Sequence, residues 1–153
     1  MKGKGRILYF ILFFCVTTLS AQQSGRFGLG VMAGDPTGLS GKYWTSSSTA
    51  FQGAAAWSVV GNDKNHMIAQ IDFTKHNFSI FNVSKGRLPF YFGLGGYVVF
   101  ADKLGIGARV PIGIDYIFAD QKLDIFLEIA PTLNLIPSTS FTANGGVGIR
   151  YWF

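Results

Sequence analysis

The sequence predicts an all-β fold, an eight-stranded antiparallel up-and-down transmembrane β-barrel. Three observations carry that expectation. Apolar and polar residues alternate at period two through most of the chain, the signature of strands with two different faces. The ionisable residues of those stretches gather on the face opposite the aliphatic and aromatic ones. The last stretch, Phe141 to Phe153, ends on an aromatic residue. It sets Val147, Ile149, Tyr151 and Phe153 on one face against Asn144, Gly146, Gly148, Arg150 and Trp152 on the other.

Composition bounds the alternatives. The 153 residues are 48% hydrophobic and only 14% charged, with 20 glycines, which excludes a disordered chain. Beyond the first residues no apolar run is long enough to span a bilayer as a helix. The formal charge of +5 includes Lys2, Lys4 and Arg6; without them ten basic residues face eight acidic ones, too small an excess to point to nucleic acid.

Residues 1–21 read as a cleaved signal peptide: a basic head, an apolar stretch from Ile7 to Val16, then Thr18-Leu19-Ser20-Ala21 before Gln22. Cleavage after Ser20 is the alternative. The only cysteine, Cys15, lies inside this leader, and Leu12-Phe13-Phe14 before it lack the small residues of a lipoprotein site. The mature chain, 22–153, is expected to be one barrel domain with no disulfide, thiol nucleophile or cysteine metal site.

The strands follow in order. Arg26 to Gly34 places Phe27, Leu29, Val31 and Ala33 outward and Gly28, Gly30 and Met32 inward, and Asp35-Pro36-Thr37-Gly38 turns the chain. Leu39 to Thr45 sets Leu39 and Tyr43 against Ser40, Lys42 and Trp44; Ser46 to Ser48 make the next turn. Ala50 to Val60 sets Phe51, Ala55, Trp57 and Val59 against Gln52, Ala54, Ala56 and Ser58, ending in the loop Gly61 to Asn65. The fourth sets Met67, Ala69, Ile71 and Phe73 against Gln70, Asp72 and Thr74. Because Phe78 and Ile80 fall in the other phase, a bulge or overhang is expected near Lys75.

After a turn at Ser84 to Arg87, the fifth strand sets Phe90, Phe92, Leu94, Val98 and Phe100 against Tyr91, Gly93, Gly95 and Tyr97. The sixth, beyond Ala101-Asp102-Lys103, alternates from Leu104 to Phe118 with Gly105, Gly107, Arg109, Pro111, Gly113 and Asp115 inward. The seventh sets Leu123, Ile125, Leu127 and Ile129 against Asp124, Phe126 and Glu128, and Ile136 to Ser140 lead to the eighth. Pro111 and Pro131 each lose a ladder donor, so local bulges are expected at both.

The inward set then contains Lys42, Arg109 and Arg150 with Asp72, Asp115, Asp124 and Glu128. A charge facing lipid at the midplane costs about 2–4 kcal/mol, so these groups belong inside, the reverse of a soluble lipocalin-like barrel. Three cations and four carboxylates are expected to pair and plug a bore that side chains alone nearly fill. With both termini periplasmic, Phe27, Tyr43, Phe51, Phe73, Phe90, Phe92, Tyr116, Phe118, Tyr151 and Phe153 form an interfacial girdle; Phe100 and Phe141 mark the opposite rim.

Other signals weigh less. Gly28-Leu29-Gly30-Val31-Met32-Ala33 matches a dinucleotide fingerprint in outline, but Asp35-Pro36-Thr37-Gly38 turns where a helix should begin, so inward glycines of a narrow barrel explain it. His76 with Ser79, or His66 near Asp63, invites a lipid-modifying enzyme; His76 is expected toward the periplasmic end, as an interfacial structural residue. The glycosylation sequons Asn77-Phe78-Ser79 and Asn82-Val83-Ser84 mean little in a bacterial barrel.

The chain resembles small eight-stranded outer-membrane barrels of the OmpX/OmpA-transmembrane-domain type. Asp72 to Phe78, Gly86 to Gly93, Arg109 to Tyr116, Phe126 to Pro131 and Gly146 to Phe153 are similar to a family of uncharacterised small barrels from diderm bacteria. The resemblance implies the fold and the outer membrane, and transfers no catalytic residues. It also implies that Ile149, Tyr151 and Phe153 form the signal read by the barrel-assembly machinery. No periplasmic wall-binding domain of the OmpA-like kind is expected, which argues against wall tethering.

The expectation is therefore a non-enzymatic integral outer-membrane protein, monomeric and surrounded by outer-membrane lipid, with no cofactor and no nucleic-acid partner, serving envelope structure or surface interaction. Its outer loops, around Asp35, Gly61 to Asn65, Ala101 to Lys103 and Pro137 to Ser140, are short for an adhesin. A lipid-modifying enzyme and a narrow pore are the alternatives.

Overall fold

A computed structural model describes residues 25–57 and 67–153. The expected leader with Cys15, and Ser58, Val59, His66 and the loop Gly61 to Asn65, lie outside the described residues. Among the described residues nine antiparallel strands form one sheet that closes on itself: β1 (Phe27–Asp35), β2 (Gly38–Trp44), β3 (Thr49–Trp57), β4 (Met67–Asn77), β5 (Phe90–Phe100), β6 (Gly105–Arg109), β7 (Ile112–Ile117), β8 (Leu123–Ile136) and β9 (Ser140–Trp152). Apart from β6 and β7, which do not pair with each other, each strand pairs with its neighbours in sequence, and β1 pairs with β9 to close the ring. β6 and β7 occupy one position, since both pair with β5 on one side and β8 on the other. The ring is thus eight strands around with its sixth in two pieces.

The break is at Val110-Pro111, and proline chemistry explains it. Neither Pro111 nor Pro131 has an amide hydrogen to give. Their carbonyls still accept, Pro111 from Gly93 N at 2.9 Å and Pro131 from Val110 N at 3.0 Å. The pairing of Arg109 with Gly95 and Ile112 with Phe92 keeps one register across the gap, so the bulge expected at Pro111 does not form. Nor does one form at Pro131, which pairs with Ala143 in unbroken register. The register shifts instead between Ile106 and Gly107, opposite the end of β8.

β4 also departs from expectation. Lys75 pairs with Phe92 and His76 with Tyr91 in the same register as Phe73 with Leu94, so no bulge interrupts the strand. Phe78 and Ile80 lie beyond its end, in the connection to β5. Alternation therefore continues through His76, which is buried on the inner side rather than interfacial.

Inside and outside are chemically opposite. Leu29, Val31, Ile71, Leu94, Leu127 and Ile129 are among many large apolar residues that remain exposed, Leu94 at 66%. So continuous an apolar surface is far larger than a soluble monomer tolerates. Among the described strand residues, outward charges occur only near strand ends, at Asp35 and Lys75. The two-residue hairpin from β1 to β2 is closed by Thr37, whose hydroxyl donates to Gly34 O at 2.8 Å and accepts from Gly34 N at 3.1 Å.

Candidate functional site

The inner side of the ring holds two linked clusters of charged side chains. Strand alternation puts them there: Lys42 on β2, Asp72 and His76 on β4, Tyr91 on β5, Arg109 and Asp115 on β6 and β7, Asp124 and Glu128 on β8, and Arg150 on β9 all take the inward phase and are buried.

The first cluster lies toward the termini. Lys42 donates to Asp115 and, at 2.7 Å, to His76 Nε2. Since an ammonium only donates, His76 accepts at Nε2 and carries its hydrogen on Nδ1, which has no partner among the described residues. Trp44 and Tyr91 flank the imidazole, with ring centroids 4.5 and 5.0 Å away. Arg150 joins two acids: its Nε donates to Asp124 at 3.0 Å and its Nη2 to Asp115 at 3.3 Å. Its guanidinium lies 4.1 Å from the Phe126 ring centre, a buried cation–π contact.

Glu128 organises the second cluster. It accepts from Gln52 Nε2 at 2.6 Å, from Tyr91 Oη at 2.8 Å and from Arg109 Nη2. Arg109 Nε is 3.4 Å from Asp72 Oδ1. Tyr91 links the clusters, since its ring stacks on His76 while its hydroxyl reaches Glu128.

Glycine makes room for these side chains. A Cβ on Gly95 would run into Asp72 Oδ1 and the backbone of Ile71, one on Gly113 into the Tyr91 ring, and one on Gly148 into the Phe126 ring. The inward glycines thus supply the space that large cross-bore side chains occupy.

The ends of the bore differ. Toward the termini, Trp44, Trp152 and Phe78 border a vestibule of about 880 Å³ whose rim carries Arg26, Arg87 and Lys122. Toward the other end the described groups hydrogen-bonded within the bore are neutral: Tyr97 donates to Asn134, Asn134 Nδ2 to Ser140 Oγ at 2.8 Å, and Thr132 Oγ1 to Asn144 Oδ1 at 3.3 Å.

The seven ionisable residues singled out in the sequence, Lys42, Asp72, Arg109, Asp115, Asp124, Glu128 and Arg150, all face inward, and each has an oppositely charged neighbour. Sequence reasoning put His76 at the interface rather than in the bore, though phase alone was enough to place it, two residues after Thr74, and it missed the linking role of Tyr91. Ile149, Tyr151 and Phe153 lie on the opposite, exposed face of the β9 end, with the Tyr151 and Phe153 rings 5.1 Å apart. Among the described residues no group of three or more His, Cys, Asp or Glu side chains is arranged to hold a metal ion.

Residues 19–153 match the family described as "Protein of unknown function (DUF3996)". No curated protein matches the chain. Among solved structures, the N-terminal β-barrel domain of Pseudomonas aeruginosa OprF superposes with a TM-score of 0.53 at 16% identity, covering 86% of this chain and 100% of that one. Neisserial surface protein A superposes with a TM-score of 0.51 at 12% identity, with the same coverage of 86% and 100%. At these identities the likeness shows the fold, that of a small eight-stranded outer-membrane barrel.

Proposed function

The chain belongs to the DUF3996 family, and from the geometry of its bore we propose that it is a closed, non-enzymatic barrel of the outer membrane that serves envelope structure or surface interaction. One observation carries this reading: side chains meet across the whole width of the bore. Lys42 on β2 reaches Asp115 on β7, and Gln52 on β3 reaches Glu128 on β8, each pair joining strands on opposite sides of the ring. Buried charges held by several partners at once resist displacement by a passing solute, because a freed charge has nowhere polar to go. The polar interior is thereby a filling rather than a path.

The lipid-modifying reading needs a nucleophile, a base and an orienting acid at the lipid-facing surface. His76 faces the bore instead and is engaged by Lys42, Trp44 and Tyr91, while Ser79 lies in the connection beyond β4, where its amide bonds Asn77 Oδ1. The apolar outer wall supports residence in lipid, and the exposed aromatic end of β9 supports recognition by the barrel-assembly machinery.

The test combines membrane fractionation with mass spectrometry of lipid A from cells with and without the gene. Recovery in the outer membrane with an unchanged lipid A profile supports the proposal. A lipid A species that depends on the gene, or recovery in the soluble fraction, contradicts it.

A further inference from the structure

The connection between β4 and β5, residues 78–89, is the longest among the described ones, and it lies at the end of the barrel where outer-membrane barrels keep their turns short. It is held through its backbone. Asn77 Oδ1 accepts from Ser79 N at 2.9 Å, and Arg87 and Ile117 exchange backbone hydrogen bonds of 2.9 and 2.8 Å. Lys85 O accepts from the Tyr116 hydroxyl at 3.1 Å. None of these contacts uses Ile80, Phe81 or Val83, which stay 50%, 42% and 38% exposed.

Tyr116 locates the loop. It follows the inward Asp115 and so lies in the outward phase, with its ring 4.8 Å from Phe118. The return arm of the loop bonds this tyrosine and carries Gly86 beside its ring, so it reaches the rim of the outer wall at the level of the aromatic girdle, while Phe78 and Arg87 border the vestibule. Lys85 sits in the same arm, and its side chain is 81% exposed despite Asp120 at 3.7 Å.

We infer that this loop is a membrane anchor: Ile80, Phe81 and Val83 enter the boundary between headgroups and acyl chains of the leaflet nearest the termini, with Lys85 beside anionic headgroups. The return arm meets the outward face at Tyr116, and apolar side chains beside a cation are the composition that interfacial segments use. The inference rests on the proposed barrel-in-lipid reading.

The test replaces the only cysteine, Cys15, with serine and introduces Phe81→Cys or Val83→Cys singly, each labelled with an environment-sensitive nitrobenzoxadiazole. The full chain is inserted into vesicles of phosphatidylethanolamine and phosphatidylglycerol containing lipids spin-labelled near the headgroup. Leu94→Cys on the wall and Ser47→Cys in a turn at the same end are the references. The expected result is blue-shifted emission and quenching at 81 and 83, approaching Leu94, with Ser47 unquenched. If Leu94 is quenched while 81 and 83 behave like Ser47, the anchor is wrong and the barrel-in-lipid reading survives; an unquenched Leu94 removes both. Shielding at 81 and 83 that appears only at high protein-to-lipid ratio marks a second copy as the occupant and also overturns the anchor.

Discussion

Lys42 and Asp115 form an ion pair across the barrel, with β3, β4 and β5 between them on one side of the ring and β8, β9 and β1 on the other. Both side chains are fully buried. Neither has water to fall back on, so the pair ties opposite walls together.

Removing one partner therefore costs more than an exposed ion pair would. Lys42→Met leaves Asp115 facing Arg150 alone at 3.3 Å and removes the donor to His76. The expected loss is about 3 kcal/mol, the low end for breaking a buried pair, read by urea unfolding in lipid vesicles. The double variant Lys42→Met with Asp115→Leu loses less than the sum of the two single changes.

Inward and outward glycines respond differently to the same methyl group. Gly95→Ala forces Asp72 to move and costs about 1–3 kcal/mol, as overpacked interiors do. At Gly41, on the outer face, an added Cβ meets nothing nearer than 3.9 Å, so Gly41→Ala leaves the unfolding midpoint close to that of the unmodified chain.

The outer wall is expected to reject charge. Ile71 is 63% exposed at the middle of β4, and Ile71→Arg costs about 2–4 kcal/mol in a bilayer. The same variant refolded in detergent loses much less, because micelles let the arginine reach water. Equal losses in both would mean that the wall packs against protein.

The C-terminal aromatic is expected to matter for delivery more than for stability. Phe153 is 63% exposed, and its ring is 6.4 Å from Phe27 and 5.1 Å from Tyr151, so little packing depends on it. Phe153→Ala should lower the fraction assembled in cells, measured by heat-modifiable gel mobility, while leaving spontaneous refolding in detergent unchanged.

Much of this fold was legible because strand phase is a local property: one inward residue fixes the facing of every second residue until a bulge intervenes. The inward placement of Arg109, Asp115, Glu128 and Arg150 follows from that alone. His76 was misplaced because Phe78 and Ile80 were read as part of the strand, whereas they belong to the loop beyond Asn77. The prolines were visible, but their effect was not: a missing donor interrupts hydrogen bonding without shifting register when neighbouring carbonyls still accept. The partners across the bore were not legible at all, since which inward residues share a level depends on the stagger of the closed ring.

The closed bore is tested most directly by planar-bilayer recording of the purified protein beside a Glu128→Ala variant, which loses the residue that Gln52, Tyr91 and Arg109 all contact. The account expects the unmodified protein to give no current steps and the variant to show openings. Steps of reproducible conductance from the unmodified protein would contradict it.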